Sequence, residues 1–318
     1  MWADIMVFLI AIGLLVASGS LLIRSLSKIA AFLRISEYTA GFILLAFATS
    51  VPELFVGITS ALDGNTALAL GTVLGSNIAN LTIIIGIPIL LAKGINIASE
   101  KTKKDSLYMV VLSALPLALM LVGNQISRFD GVILISAFFI YIRKIYKERT
   151  AFTKELENNI SKWSVLTSAG VFLFSLIVLF FSADQVVNSA SNIALDFALP
   201  PILIGLFMIA VGTSLPELVV GISSALKGHS EMSVGNIVGS VIANATFILG
   251  VTALIHPITS NFILFVTSGV YMILTTFIFA TFVRSGDRVD WEEGLSLLLL
   301  YLFFIILEFY IKGAINVI

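Results

Sequence analysis

The sequence predicts an all-α integral membrane protein, with ten transmembrane helices built as two inverted-topology five-helix repeats. Three observations predict it. Of the 318 residues, 58% are hydrophobic and only 12% are charged, with a mean hydropathy of +1.08; soluble domains carry about 25% charged residues. Ten apolar runs follow one another with short polar linkers, each run close to or longer than the roughly 20 residues that cross a bilayer core. Residues 41–86 recur as 205–250, at an offset of 164, with 23 identities in 46 aligned positions. A unit repeated after five spans, an odd number, enters the membrane in the opposite sense. That is the architecture of carriers in which a central site alternates between two faces.

The runs justify themselves in order. The first, 4–23, lacks a basic leader and a small-residue cleavage site, so it reads as a retained helix and not a signal peptide. The second, 38–62, is interrupted by Pro52, and the third, 66–92, carries Ser76 and Asn80. Spans 105–123 and 128–146 complete a first five-helix unit, residues 1–146, with its internal repeat at 41–86. The charged stretch "RKIYKERTAFTKELENNISK" (143–162) divides the chain nearly in half and is too short for a soluble domain. It frames a linker at 147–162. The second unit, 163–318, holds spans 163–183, 198–226, 231–256, 259–283 and 292–312, with the matching repeat at 205–250. Several runs exceed the minimum length, which predicts tilt or breaks. Loops after odd-numbered spans hold 16 of the 18 Lys and Arg residues; only Arg128 and Lys312 lie on the other side. The positive-inside rule then places the linker in the cytoplasm and both termini outside it, in a cell membrane.

Composition also narrows the chemistry. A net charge of −1 gives no argument for nucleic acid, and the absence of cysteine excludes disulfides and thiolate metal sites. There is no metal-hydrolase, nucleophile–base or phosphate-loop pattern, so an enzyme is not expected, nor is a prosthetic group. The expected partners are the lipid bilayer and small ions, with the monomer as the working unit.

The repeats carry the candidate site. "FATSVPELFVGITSAL" (47–62) and "VGTSLPELVVGISSAL" (211–226) each put a proline and a glutamate inside an apolar run. Pro52 and Pro216 remove a backbone donor, and freed carbonyls are tolerated at membrane depth only against protein or a water-filled cavity. A packing kink would explain one such proline. Two, each preceded by Thr-Ser and followed by Glu, favour a break that lines a ligand site. Glu53 and Glu217 have no Lys or Arg within their own hairpins except Lys227 at a helix end. An ionised carboxylate in hydrocarbon must protonate, pair or bind a cation, and two together match the charge of one divalent ion.

Around them stand hard oxygen donors. Thr49, Ser50 and Glu53 share a face at helical spacing, as do Thr213, Ser214 and Glu217; Ser76 with Asn80 and Ser240 with Asn244 are paired at i, i+4. Hydroxyl, amide and carboxylate oxygens without His, Cys or Met suit calcium, magnesium or sodium. Interhelical hydrogen bonding is the competing role for the serines. Gly71 with Gly75, and Gly235 with Gly239, form small-residue faces whose expected role is close helix packing. Asp63, His229, Glu231 and His256 fall at span ends, and Asp184 and Asp196 in an outside loop, where solvation is the expectation.

The pairs "TSVPE"/"TSLPE" and "GSNIAN"/"GSVIAN" resemble the α-repeats of the cation/calcium antiporter superfamily, specifically the sodium/calcium exchangers. The resemblance covers nearly the whole chain. It implies alternating-access exchange of sodium for calcium around a four-helix centre, with the slender first and sixth helices sliding across it. By position it implies Glu53 and Glu217 as the main calcium ligands, joined by the carbonyls of Thr49 and Thr213. Ser50, Ser76, Ser214 and Ser240 would serve sodium, and Asn80 and Asn244 would line the centre. Two departures stand out. Ala48 replaces a glycine that Gly212 retains. Both inner positions are Asn where some relatives have Asp, which argues against a potassium-dependent type. The short linker also lacks the large calcium-sensing insertion of animal exchangers. Proton/calcium antiport on the same fold is the alternative, although that branch favours Gly-Asn before the glutamate; a passive cation channel is the alternative from another class.

Overall fold

The structure, a computed structural model, describes residues 2–33, 35–64, 66–97, 99–147, 162–196, 214–259 and 262–315. These are helical almost throughout, and their boundaries follow from local chemistry. Helix α1 is Trp2–Leu33. Helix α2 covers 37–49, with a π-helical turn at Gly41–Leu45. At its start the Ser36 hydroxyl accepts a hydrogen bond from the Thr39 N–H (3.1 Å). Helix α3 is Val51–Leu62, set at 42° to α2 across a break at Ser50. Helix α4 is Thr66–Leu91, α5 Glu100–Gly123 and α6 Arg128–Lys147. The start of α6 is capped reciprocally: Asp130 accepts from the Ser127 N–H (2.8 Å), and the Ser127 hydroxyl accepts from the Asp130 N–H (3.2 Å). Helix α7 is Lys162–Asp196, α8 Leu215–Leu226, α9 Ser230–Ile255, α10 Phe262–Ser285 and α11 Trp291–Ile315.

Six of these helices are long and apolar enough to cross a membrane, or seven if α2 and α3 form one bent span. The shorter apolar helix α8 adds a partial run whose first half, with the rest of 197–213, lies outside the described residues. So does most of the linker at 147–162.

Burial sorts the helices into a centre and a flank. The apolar stretches of α4 and α9 are 78% and 83% buried inside the molecule, against 28% for α1 and 17% for α7. Accordingly α1 and α7 pack along each other and leave Leu9, Ile10, Phe174 and Phe181 facing outward. Helix α1 also rests on α8. Around α4 and α9, helix α3 packs on both, α8 on α9 and the C-terminal part of α4, α5 on α10, and α6 on the C-terminal part of α9. The central packing is close because glycine allows it. A Cβ on Gly235 would stand 2.5 Å from the Tyr38 carbonyl oxygen, and one on Gly239 would stand 2.8 Å from that of Phe42. That face of α9 therefore has the packing role expected of it; the faces of Gly71 and Gly75 meet nothing among the described residues.

Two small clasps join the halves of the chain. Strands β1 (Ile95–Asn96) and β2 (Arg288–Val289) pair antiparallel, with Ile95 opposite Val289. At another point Ile126 and Ile258 form an isolated bridge. One charged residue departs from its expected solvation: Glu231, at the start of α9, accepts hydrogen bonds from the Ser99 N–H (3.0 Å) and the Thr102 hydroxyl. It ties α9 to the start of α5. A further buried ion pair, Asp105–Lys144 (3.7 Å), links α5 to α6, with the Lys144 ammonium 3.3 Å from the centre of the Tyr108 ring.

Candidate functional site

The break expected at Pro52 falls at Ser50, two residues before it. Pro52 does not sit inside a continuous helix. It occupies the first turn of α3, where backbone N–H groups have no intrahelical acceptor and the ring's fixed φ suits the start. Ser50 has ψ near zero (φ −83°, ψ 7°), and the Leu54 N–H returns to its carbonyl (3.1 Å). Glu53 thus lies in the first turn of a fresh helix, at the positive end of its dipole. The second copy repeats the arrangement: Ser214 (φ −94°, ψ 7°), Pro216 in the first turn of α8, Glu217 beside it, and Leu218 N–H to Ser214 O (3.0 Å).

Nine of the ten predicted residues are described, and all nine are buried with 3% exposure or less: Thr49, Ser50, Glu53, Ser76, Asn80, Ser214, Glu217, Ser240 and Asn244. Thr213 lies outside the described residues. The structure brings them to one region. The Ser76 hydroxyl donates to Glu53 Oε1 (3.2 Å), which joins the face of α4 to the start of α3. Helix α8, which carries Glu217, packs against residues 46–49 at the end of α2, beside the break that precedes Glu53. The α4 and α9 helices widen here into π-helical turns, Asn80–Ile84 and Ala243–Ile248, so Asn80 and Asn244 sit at the same kind of bulge. Such turns concentrate at functional sites.

Two further residues belong to the region and escape the repeat. Asn77 and Asn236 are fully buried, but they align with Val241 and Thr72 and so leave no mark in the shared skeleton. The Thr49 hydroxyl donates to Asn236 Oδ1 (3.4 Å), and Asn244 Nδ2 donates to Asn77 Oδ1 (3.0 Å). A second amide in each of α4 and α9, beside Asn80 and Asn244, was the available signal.

Polar satisfaction shows what the region lacks. Nearly all buried polar atoms in proteins have a hydrogen-bond partner. Here, among the described residues, none is found for both carboxylate oxygens of Glu217, both amide atoms of Asn80, Asn244 Oδ1, or the hydroxyls of Ser50, Ser214 and Ser240. Most of these atoms are oxygens, two carry the charge of a buried carboxylate, and they surround a second carboxylate. A hard cation fits that donor set, because it satisfies neutral and anionic oxygens together.

Comparison with known proteins identifies the family. The model of the sodium/calcium exchanger protein family matches residues 4–146 and 167–310. The inner membrane protein YrbG of Escherichia coli is 31% identical over 283 residues, covering 86% of each chain. The sodium/calcium exchanger MaX1 of Methanosarcina acetivorans is 28% identical over an alignment of 349, covering 97% of this chain and 99% of that one. Among solved structures, the sodium-calcium exchanger NCX_Mj soaked with 10 mM Na+ and zero Ca2+ superposes with a TM-score of 0.83 at 24% identity, over 95% of this chain and 97% of that one. That likeness shows a shared fold. On the family match, which spans most of its length, this chain belongs to the sodium/calcium exchanger protein family.

Proposed function

We propose that the protein is a sodium-driven calcium antiporter working by alternating access, with ten spans in two inverted five-helix units and both termini outside the cytoplasm. Glu53 and Glu217 bind calcium, with the backbone at Thr49 and Thr213; Ser50, Ser76, Ser214 and Ser240 add sodium sites, and Asn80 and Asn244 line the centre. The observation that carries the reading is the pair of buried glutamates at equivalent positions, ringed by oxygen donors that have no hydrogen-bond partner among the described residues. Further support comes from the conformational match of Ser50 with Ser214 and the equivalent π-helical turns. Family membership supports calcium and sodium as the cargo.

The test is calcium-45 uptake into sodium-loaded proteoliposomes, varying external sodium, potassium and pH in turn. Uptake that follows the outward sodium gradient and saturates with calcium is the expected result. Uptake that follows a proton gradient and ignores sodium would assign proton/calcium antiport instead, and non-saturating flux would indicate a channel. Voltage probes the stoichiometry. Two ionised glutamates balance one calcium or two sodium ions, whereas the neutral serine sites permit a third sodium. One net charge crossing the membrane couples to about 2.3 kcal/mol per 100 mV, so an inside-negative potential should favour sodium entry and calcium exit. A flux equilibrium that ignores a potassium–valinomycin clamp would mean two-for-one exchange.

A further inference from the structure

The hydrogen bonds around Asn77 fix more than its own position. Its Nδ2 lies 3.3 Å from the Val241 carbonyl oxygen and 3.5 Å from the Met272 sulfur. Both of those atoms can only accept, so the amino end of Asn77 must face them, and its Oδ1 must face the other way. Asn244 Nδ2 meets that oxygen at 3.0 Å. Asn244 must therefore present its amino end to Asn77, which leaves Asn244 Oδ1 as the end with no hydrogen-bond partner among the described residues. A single backbone carbonyl on α9 thus sets the direction of two amides in succession. The other repeat has no such relay among the described residues. The residue at the position matching Asn77 is Val241, and Asn80, the counterpart of Asn244, has neither amide atom bonded among the described residues.

The geometry points to Asn77 as a positioning residue that locks the Asn244 amide with its oxygen, and not its N–H2, offered to the transported cation. The inference rests on the proposed cation site and deepens it. It makes the two inner asparagines unequal: Asn244 is a fixed oxygen donor, and Asn80 is a reversible one. An amide whose two ends can exchange offers a cation a repelling N–H2 in one of its orientations. Fixing it removes that competing state without adding charge.

The test is a double-mutant cycle in sodium-loaded proteoliposomes, reading the apparent KM for calcium and for sodium separately from the turnover at saturation. Asn77→Val copies the residue found in the other repeat, and Asn77→Ala serves as a second variant should valine disturb the fold. With Asn244 present, either change should raise KM for at least one ion roughly five- to tenfold, the scale of one buried hydrogen bond, while turnover stays within about twofold. With Asn244→Asp both ends of residue 244 are oxygens and orientation no longer matters. The same Asn77 changes should then leave KM unchanged or lower it, because the Asn77 oxygen would otherwise face a carboxylate. An equal penalty in both backgrounds, or none in either, would overturn the assignment and make Asn77 a packing residue. A protein that moves no calcium with Asn77 and Asn244 intact would fail at the proposed function itself, before the cycle begins.

Discussion

The two copies of the repeated unit hold the same donors in different surroundings. In the first, Glu53 Oε1 is anchored by the Ser76 hydroxyl, while the inner Asn80 has no bonded amide atom among the described residues. In the second the emphasis reverses. Glu217 and Ser240 lack hydrogen-bond partners among those residues, whereas the inner Asn244 is held by Asn77. Each half therefore contributes one tethered group and one open group to the same region. The backbone is nearly symmetric, since both glutamates follow a serine with ψ near zero and a first-turn proline. Both helices carrying them also end at a glycine with positive φ, Gly64 at 72° and Gly228 at 77°. The lesson is that the internal repeat fixes where donors lie, and unpaired substitutions such as Asn77 opposite Val241 decide how firmly each is held.

The largest effect should come from breaking what the halves share. On the proposed reading, Glu53→Gln and Glu217→Gln each remove one of the two charges that would balance a divalent ion, while keeping shape and volume. Each should lower calcium exchange by about two orders of magnitude or more, with the purified protein still monodisperse. Near-normal exchange by either variant would remove the central assignment. The pair also sharpens the comparison. The amide oxygen that Glu53→Gln introduces can still accept from the Ser76 hydroxyl. That variant should therefore disturb the thermal melting of the ion-free protein less than Ser76→Ala does.

A smaller difference should separate the inner asparagines. Asn80→Asp turns an undirected amide into a carboxylate at a position that has no hydrogen-bond partner among the described residues. Asn244→Asp adds the same charge but sets it against the Asn77 oxygen. Apparent calcium affinity should therefore rise more in Asn80→Asp, by several-fold relative to Asn244→Asp, on the scale of a charge-assisted hydrogen bond. Isothermal titration with calcium at two pH values reads it. Identical behaviour of the two variants would mean that the asparagines are equivalent and that the Asn77 contact directs nothing.

Much of this site was legible in the sequence because it is written twice. Repetition separates Glu53, Ser76 and Asn80 from incidental polar residues, and the lack of nearby cations in the sequence marks the carboxylates as a candidate ion site. What remained hidden depends on contacts between distant segments. Asn77 and Asn236 act through Val241, Asn244 and Thr49, and no local spacing encodes those pairings. The exact helix start at Val51 was hidden for a related reason: the paired prolines point to a break without locating it, and only the backbone at Ser50 shows where one helix ends and another begins. Glu231 looked solvated because its partners, Ser99 and Thr102, lie more than a hundred positions away.

The smallest effect belongs to the two clasps between the halves, which differ from each other. Beside the bridge between Ile126 and Ile258, the Arg128 guanidinium donates to the Ile255 carbonyl (3.2 Å). The β1–β2 clasp is surrounded by ion pairs, Lys103 with Asp287 at 2.7 Å and Arg288 with Asp290 at 2.9 Å. The Lys103 ammonium holds the Asp287 carboxyl below its ordinary value of 3.8, chiefly through their hydrogen bond. A carboxylate with a depressed folded-state pKa stabilises the folded form above its unfolded value and loses that contribution as pH falls through the folded one. The pair should thus be fully effective at neutral pH and fade only in acid below about pH 4. Exposed pairs contribute little and are screened by salt. Asp287→Asn should therefore lower the melting temperature slightly at low ionic strength and neutral pH. The difference should vanish near 1 M salt, where the Debye length is about 3 Å, and below the carboxyl's titration. Arg128→Met, at the other clasp, should show no comparable pH dependence, because its partner is a backbone carbonyl that does not titrate. A pH-independent loss in Asp287→Asn would mean that the residue supports the strand pairing by shape, and the two clasps would then differ in composition only.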